Sequence, residues 1–309
     1  MRIRLAFLML LLLITGCVVT QEPTPGDGET LQAMDAAGRQ VDLPVNPQRV
    51  VALSSSLAGI WLEAGGTLVG VSNDAIDEQA LQLGDDVVIV GTIKEPSADI
   101  ILALQPDLVL LSPDITGHTQ IAPTLDQAGI QYFFADAETF QDYLQVLETF
   151  TTLTGKPENL TRYGTSQQEK IDQYLSGCFL KRENPTVLVM RAFSSGVKAK
   201  ADGIVPTEIL DDYGVTNIAR QNSSLLEDLS LEKILEENPD YIFIVFMGDD
   251  TDNIINNLEA SLTGNPSWST LDAVKNQQFY ILPKELFHFK PNGRWHEAYA
   301  YLYEILCQP

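Results

Sequence analysis

Arg191 directly follows the apolar run Val187 to Met190. In a chain with 42 acidic and 19 basic residues, a cation at a strand end stands out, and its guanidinium can bond a carboxylate through two parallel charge-assisted bonds. Lys94 and Lys290 lie in loops of the same kind, whereas Lys198 and Lys200 alternate as an exposed strand does and read as solvated. Phe193, Phe246, Phe287, Phe289 and Trp295 gather near these loops. Apolar walls with few polar anchors suit a large planar ligand, though aromatics at strand ends also serve as core. His288, His118 and Met247 are residue types that fill axial positions on a haem or corrinoid metal, or simply pack. Arg191 has its own plainer reading, as the partner of one of many carboxylates.

Other chemistries find little material. Three histidines and three cysteines, with no C-x-x-C and no H-E-x-x-H, predict no protein-built metal centre. There is no G-x-x-x-x-G-K-[ST], no G-x-S-x-G, and no nucleophile–base pair in a recognisable setting, so no catalytic residue is expected. The run Gly248 to Asp252 lacks the spacing of an EF-hand loop and precedes Ile254, Ile255 and Leu258, so it reads as a helix cap. A formal charge of −23 repels nucleic acid and anionic lipid, while 45% hydrophobic residues exclude a disordered chain.

The elements that must position these residues alternate. Val50 to Leu53, Leu68 to Val71, Val87 to Val90, Leu108 to Leu111 and Tyr132 to Phe134 read as short buried strands. Between them come a helix bearing Leu57, Ile60, Trp61 and Ala64, a helix after Ser97, and a helix over 121–129. Strands alternating with helices predict a parallel α/β sheet covered on both faces.

The pattern then returns. Asp99 to Leu111 and Glu232 to Ile244 share an acid, an Ile-[Ile/Leu] pair and Pro-Asp before a buried strand, and Val50 to Leu53 matches Val187 to Met190. Two similar offsets imply a duplicated lobe: residues 31–155 and 183–309. Between them, Pro157 opens a helix over residues 156–182, running to about Leu180 and about 35 Å long, with no Gly-Ser hinge.

Arg2 and Arg4 precede the apolar run Leu5 to Ile14, which spans about 15 Å as a helix and is too short to cross a membrane. Residues 1–16 therefore read as a signal peptide. Cys17, after Thr15-Gly16, is the expected lipidation site, and residues 17–30 read as a flexible tether. Outside the cytoplasm disulfides are permitted, so Cys178 and Cys307 either pair or remain buried thiols, with the even count favouring a bridge.

In this order and spacing the chain resembles the substrate-binding proteins of ABC importers, in the group that carries iron–siderophore complexes, haem and cobalamin. The resemblance rests on Ile14-Thr15-Gly16-Cys17, on Arg49 to Ser54, and on Val90-Gly91 ahead of the Asp99 helix. It rests also on the duplicated Pro-Asp strand, the long middle helix, and Trp268 to Tyr280. It covers residues 31–309 and implies two Rossmann-like lobes joined by one long rigid α-helix, with the ligand in the cleft and little closure on binding. It also implies that Asp99 and Glu232 dock onto basic residues of the permease, although the family's usual Glu is Asp at position 99. The alternative is that both acids complement helix dipoles.

Open α/β sheets bind ligands beyond the C-terminal ends of their strands. That places Ser55, Ser56, Thr92, Lys94, Glu95 and Ser112 of the first lobe at the cleft, and Arg191, Phe193, Phe246, Met247, Phe287 and His288 of the second. The expected function is capture without catalysis: a monomeric, lipid-anchored receptor delivering an iron complex to a permease and its ATPase. The cationic loops favour a ferric siderophore, then haem, then cobalamin. No intrinsic cofactor and no nucleic acid are expected, and the membrane is met only through the lipid. An exported enzyme or a surface sensor on the same fold are the contrasting classes.

Overall fold

The computed structural model describes residues 29–308, apart from residues 78, 228 and 249. The expected signal peptide, Cys17 and most of the tether lie outside the described residues; Thr30, placed in the tether, already begins a strand. Among the described residues, no helix is long and apolar enough to cross a membrane.

The body opens with a hairpin absent from the expectation. Strands β1 (Thr30–Met34) and β2 (Gln40–Pro44) pair antiparallel. Asp35 closes their turn, accepting both arms of the Arg39 guanidinium at 2.9 and 2.7 Å and the N–H groups of Ala37 and Arg39. The first lobe's sheet follows, from β3 (Val50–Ala52), β4 (Gly70–Val71), β5 (Val88–Ile89), β6 (Leu108–Leu111) and β7 (Tyr132–Phe134). Its order is β5-β4-β3-β6-β7, all parallel. The helix expected over 121–129 spans Thr116–Ala128; Pro123 lies inside it.

After the two-residue strand β8 (Phe179–Leu180), the second lobe is built on β9 (Thr186–Phe193), β10 (Gly196–Ala199), β11 (Thr216–Asn217), β12 (Tyr241–Phe246) and β13 (Phe279–Leu282). β9, β12 and β13 run parallel, β11 adds to β9, and β10 folds back antiparallel as an edge. The repeat is physical. Ser97 and Ser230 each cap a helix, Ala98–Ala103 and Leu231–Glu237, with Asp99 and Glu232 exposed in its first turn. Each helix gives way to a left-handed residue before Pro-Asp, Gln105 in one lobe and Asn238 in the other.

The middle segment is helical from Glu158 to Gly177, but not uniformly α. Thr161–Thr165 forms a π turn, and the helix stops three residues before Leu180, which belongs to β8. Gly164 explains the close approach: a Cβ there would lie 2.8 Å from Leu144 of the packed helix Phe140–Thr154. The segment ends at a disulfide between Cys178 and Cys307, with Cα atoms 5.2 Å apart. The last strand, β14 (Cys307–Gln308), pairs with β8.

Three cores result. One lies on the outer face of each sheet, around Val51, Val109 and Leu111 in the first lobe and Leu188, Ile242 and Ile244 in the second. The third is continuous across both lobes, uniting Trp61 and Phe150 with Val189, Phe243 and Trp295. Phe140 and Trp295 meet edge to face across this joint, ring centroids 6.0 Å apart. A shared apolar core of this kind opposes large relative movement of the lobes.

Candidate ligand cleft

Loops at the C-terminal ends of β3, β6 and β7 face the segment His288–Lys290 across a cavity of about 220 Å³. A second cavity of about 540 Å³ adjoins it, bounded by Lys94, Met247 and Gly248. Both are lined by Ile93, Asp114, Ile115 and His288, so they form one cleft between the lobes.

Ser55 and Ser112 line the smaller cavity, Lys94 and Met247 the larger, and His288 both. Ser54 caps the helix Ser55–Glu63, which fixes the serine run at the cleft. Ser55 N–H donates to the buried Asp74 Oδ2 at 2.7 Å. Ser56 also lines the smaller cavity and ties the lobes together: its Oγ donates to Asn292 Oδ1 at 3.2 Å, while Asn292 Nδ2 donates to the Ser56 carbonyl at 3.0 Å. Gly59 must be glycine for this approach, because a Cβ there would stand 2.5 Å from Asn292 Nδ2.

Several expected residues lie elsewhere. Thr92 and Glu95 close a turn on each other and line neither cavity; Glu95 N–H donates to Thr92 Oγ1 at 3.0 Å. Phe246 packs in the outer core of the second lobe, because Ile242, Ile244 and Phe246 share a sheet face. Phe287 is 1% exposed, edge to face with Tyr301, in the shared core. Phe193 and Arg191 are half-buried near the cleft end of β9, outside the two lining sets. Burial lowers the Arg191 pKa, the Glu138 carboxylate partly offsets this, and Arg191 Nε has no hydrogen-bond partner among the described residues.

His118 is not presented to the cleft as a ligand. It is fully buried, and its Nδ1 accepts the Ser112 N–H at 2.9 Å. Burial pushes its pKa down to about 4 against the pull of the Ile93 and Leu53 carbonyls and Asp74. The imidazole is therefore neutral and holds the loop after β6. Asp250, by contrast, caps the helix Thr251–Leu258 as the sequence implies, accepting the Asn253 N–H.

The structure adds acids that were not foreseen. Asp136 and Glu138 follow β7, and with Asp114 each offers an oxygen within 4.8 Å of the others. Lys290 forms an ion pair with Glu138. Burial, reinforced by Glu138, raises the Asp136 pKa. The strand-end rule applied to β7 reaches these residues. Behind the cleft, Glu63 accepts the Gly293 N–H at 2.8 Å and sits 3.0 Å from Tyr143 Oη. Its burial drives its pKa up to about 7.

Two parallel α/β lobes, a shared core and a cleft at the strand ends define a solute-binding protein. The family model of periplasmic binding proteins matches residues 50–286, and the chain belongs to that family. It is accordingly an extracytoplasmic-type binding protein and not an enzyme. The chain is 25% identical over 272 residues to the putative ABC transporter substrate-binding lipoprotein YhfQ of Bacillus subtilis, covering 81% of this chain and 80% of that one. It is 25% identical over 282 residues to the Fe(3+)-citrate-binding protein YfmC of the same organism, covering 88% and 86%. Among solved structures, the petrobactin-binding protein YclQ of B. subtilis superposes with a TM-score of 0.69 at 18% identity, covering 90% of this chain and 97% of that one.

Proposed function

We propose that the protein captures an iron complex, a ferric siderophore in the first instance, and delivers it to an ABC permease and its ATPase. The observation that carries this reading is the interlobe cleft, lined from both lobes by Ser55, Lys94, Ser112, Met247 and His288. Relatives named for ferric citrate and petrobactin support the iron complex as cargo. Asp99 and Glu232, both exposed on repeat-related first turns, are the proposed permease contacts, and Cys17 the proposed lipid anchor. The protein works as a monomer, with residues 31–155 and 183–309 as its lobes and the helical segment between them as the strut.

Haem is the second reading, because Met247 and His288, both capable of axial ligation, line the same 540 Å³ cavity. Purification from the native host, followed by absorption spectroscopy and mass measurement of the co-purifying molecule, separates the two. A ferric chelate band with the mass of a siderophore supports the first. A Soret band shifted by Met247→Ala or His288→Ala replaces it with the second. An iron-free ligand rejects both.

A further inference from the structure

The cleft wall given by the first lobe is acidic. Asp114, Asp136 and Glu138 line the smaller cavity with oxygens mutually within 4.8 Å. Asp74 lines it too and is 3% exposed. Its Oδ2 accepts the Ser55 N–H, but its Oδ1 is buried with no hydrogen-bond partner among the described residues. A buried carboxylate oxygen without a donor is costly, so a donor brought by a ligand is favoured there.

The nearby cations do not balance this wall. Lys290 is paired with Glu138, and Glu138 is also the carboxylate that acts on Arg191. Lys290 also draws the Asp136 pKa down, and Lys94 lines the adjoining cavity with Asp114, so three cations face four acids. Burial first, and then the like charges of Glu138 and Asp114, oppose the ionisation of Asp136. An arriving cation relieves that repulsion, whereas an arriving anion adds to it.

We infer that Asp74, Asp114, Asp136 and Glu138 form a subsite for a positively charged group of the cargo, such as an ammonium on a neutral ferric chelate. This rests on the iron-complex reading and narrows it: the preferred complex is cationic, not the carboxylate-rich anion that Arg191 and Lys290 alone suggest. Asp74 receives a hydrogen-bond donor, and the Asp114–Asp136 pair receives the charge.

The test uses the purified full-length protein and three probes, read by tryptophan quenching. The first is ferric desferrioxamine B, a trishydroxamate chelate with a free ammonium. The second is its N-acetylated form, with the same core and no cation. The third is anionic ferric citrate. The expected order is ammonium chelate, then acetylated chelate, then citrate, with acetylation weakening binding about tenfold or more. Asp114→Asn with Asp136→Asn should bring the first two within about twofold. Asp114→Asn alone, at an exposed position, gives a partial effect without risk to folding. Equal binding of the acetylated chelate by the wild type, or tightest binding of citrate, overturns the inference and leaves the iron-complex reading standing. Binding of haem alone, a dianion, overturns the inference as well. Binding of no iron complex at all overturns both.

Discussion

In the first lobe Asp107 accepts the N–H groups of Gln48 and Arg49 at 2.7 and 2.9 Å, pinning the approach to β3. In the second, Asp240 accepts the N–H and hydroxyl of Thr186 at 2.9 and 3.1 Å, pinning the start of β9. The cations differ in use: Arg49 caps the Leu104 carbonyl, whereas Arg182 pairs with Asp240 itself. At the cleft the two lobes diverge further. The first presents serines and carboxylates, the second Met247, His288 and Lys290. The repeat therefore fixes how strands and helices are held, and the loops beyond the strand ends are free to differ in chemistry.

The most drastic way to break this comparison is to reverse the repeated acids. Asp99→Arg and Glu232→Arg should each cut uptake sharply, and together abolish it. Affinity for cargo should stay within about threefold, since both acids are exposed on helix first turns outside the cleft. Uptake assays in cells, paired with titration of the purified variants, check this. Loss from one lobe only would show that docking is not symmetric, and unchanged uptake would remove the acids from docking altogether.

The disulfide has no counterpart in the first lobe. It joins residues 129 apart, tying the end of the strut to the last strand. In the chain-entropy account a loop of this size contributes about 4–5 kcal/mol. Cys178→Ser with Cys307→Ser should lower the free energy of urea unfolding by about that amount. A loss under about 1 kcal/mol would mean that the shared core alone sets the stability.

Much of this architecture is legible in the sequence, and the exceptions have physical causes. Buried parallel strands announce themselves as apolar runs, as Leu108–Leu111 does with every residue buried. The hairpin β1–β2 does not, because its strands are half exposed and its closure depends on Asp35 and Arg39 across the turn. Pro123 and Gly117 obscure the helix Thr116–Ala128, whose Pro lacks only one N–H bond. At the cleft, strand ends point to the right loops but not to the right side chains. Phe246 is the last residue of β12 and turns into the outer core, whereas Met247, one residue beyond the strand, lines the cavity. The bond between Ser56 and Asn292 joins residues 236 apart and leaves no local trace.

The joint between the lobes supplies a smaller effect with a definite sign. Tyr143 Oη donates toward both Glu63 Oε2 and the Tyr163 carbonyl, each 3.0 Å away, so its single proton is shared between them. Burial outweighs that donor and the Gly293 N–H, and favours the protonated form of Glu63. Its pKa near 7 in the fold stands above the ordinary 4.5, so the folded state retains a proton that the unfolded state loses. Stability should therefore fall as pH rises from about 4.5 to 7 and level off above, by about 3 kcal/mol at most. Glu63→Gln should flatten this dependence and raise the melting temperature at pH 8 more than at pH 5. Equal shifts at both pH values would remove Glu63 from the account.

The smallest expected effect concerns Arg191, and it sharpens the contrast at the cleft. Arg191 lies outside the two cavity linings, and the carboxylate acting on it is Glu138. We propose that Arg191 offsets the acidic wall of the opposite lobe, a role distinct from the cargo contact expected from the sequence. Arg191→Ala removes a positive charge that acts on Glu138 at a distance, and leaves the Glu138–Lys290 ion pair in place. Affinity for a cationic chelate should rise, and for an anionic one fall, each about two- to fivefold and so by no more than about 1 kcal/mol. Lys198 is the control: it pairs in register with Arg191 on β10 but is exposed, and Lys198→Ala should change neither affinity. Titration of both variants with the ammonium chelate and ferric citrate at low salt reads the signs directly, since added salt screens the effect. A loss of more than about tenfold for the anionic chelate, with no gain for the cationic one, would place Arg191 in direct contact with an anionic cargo.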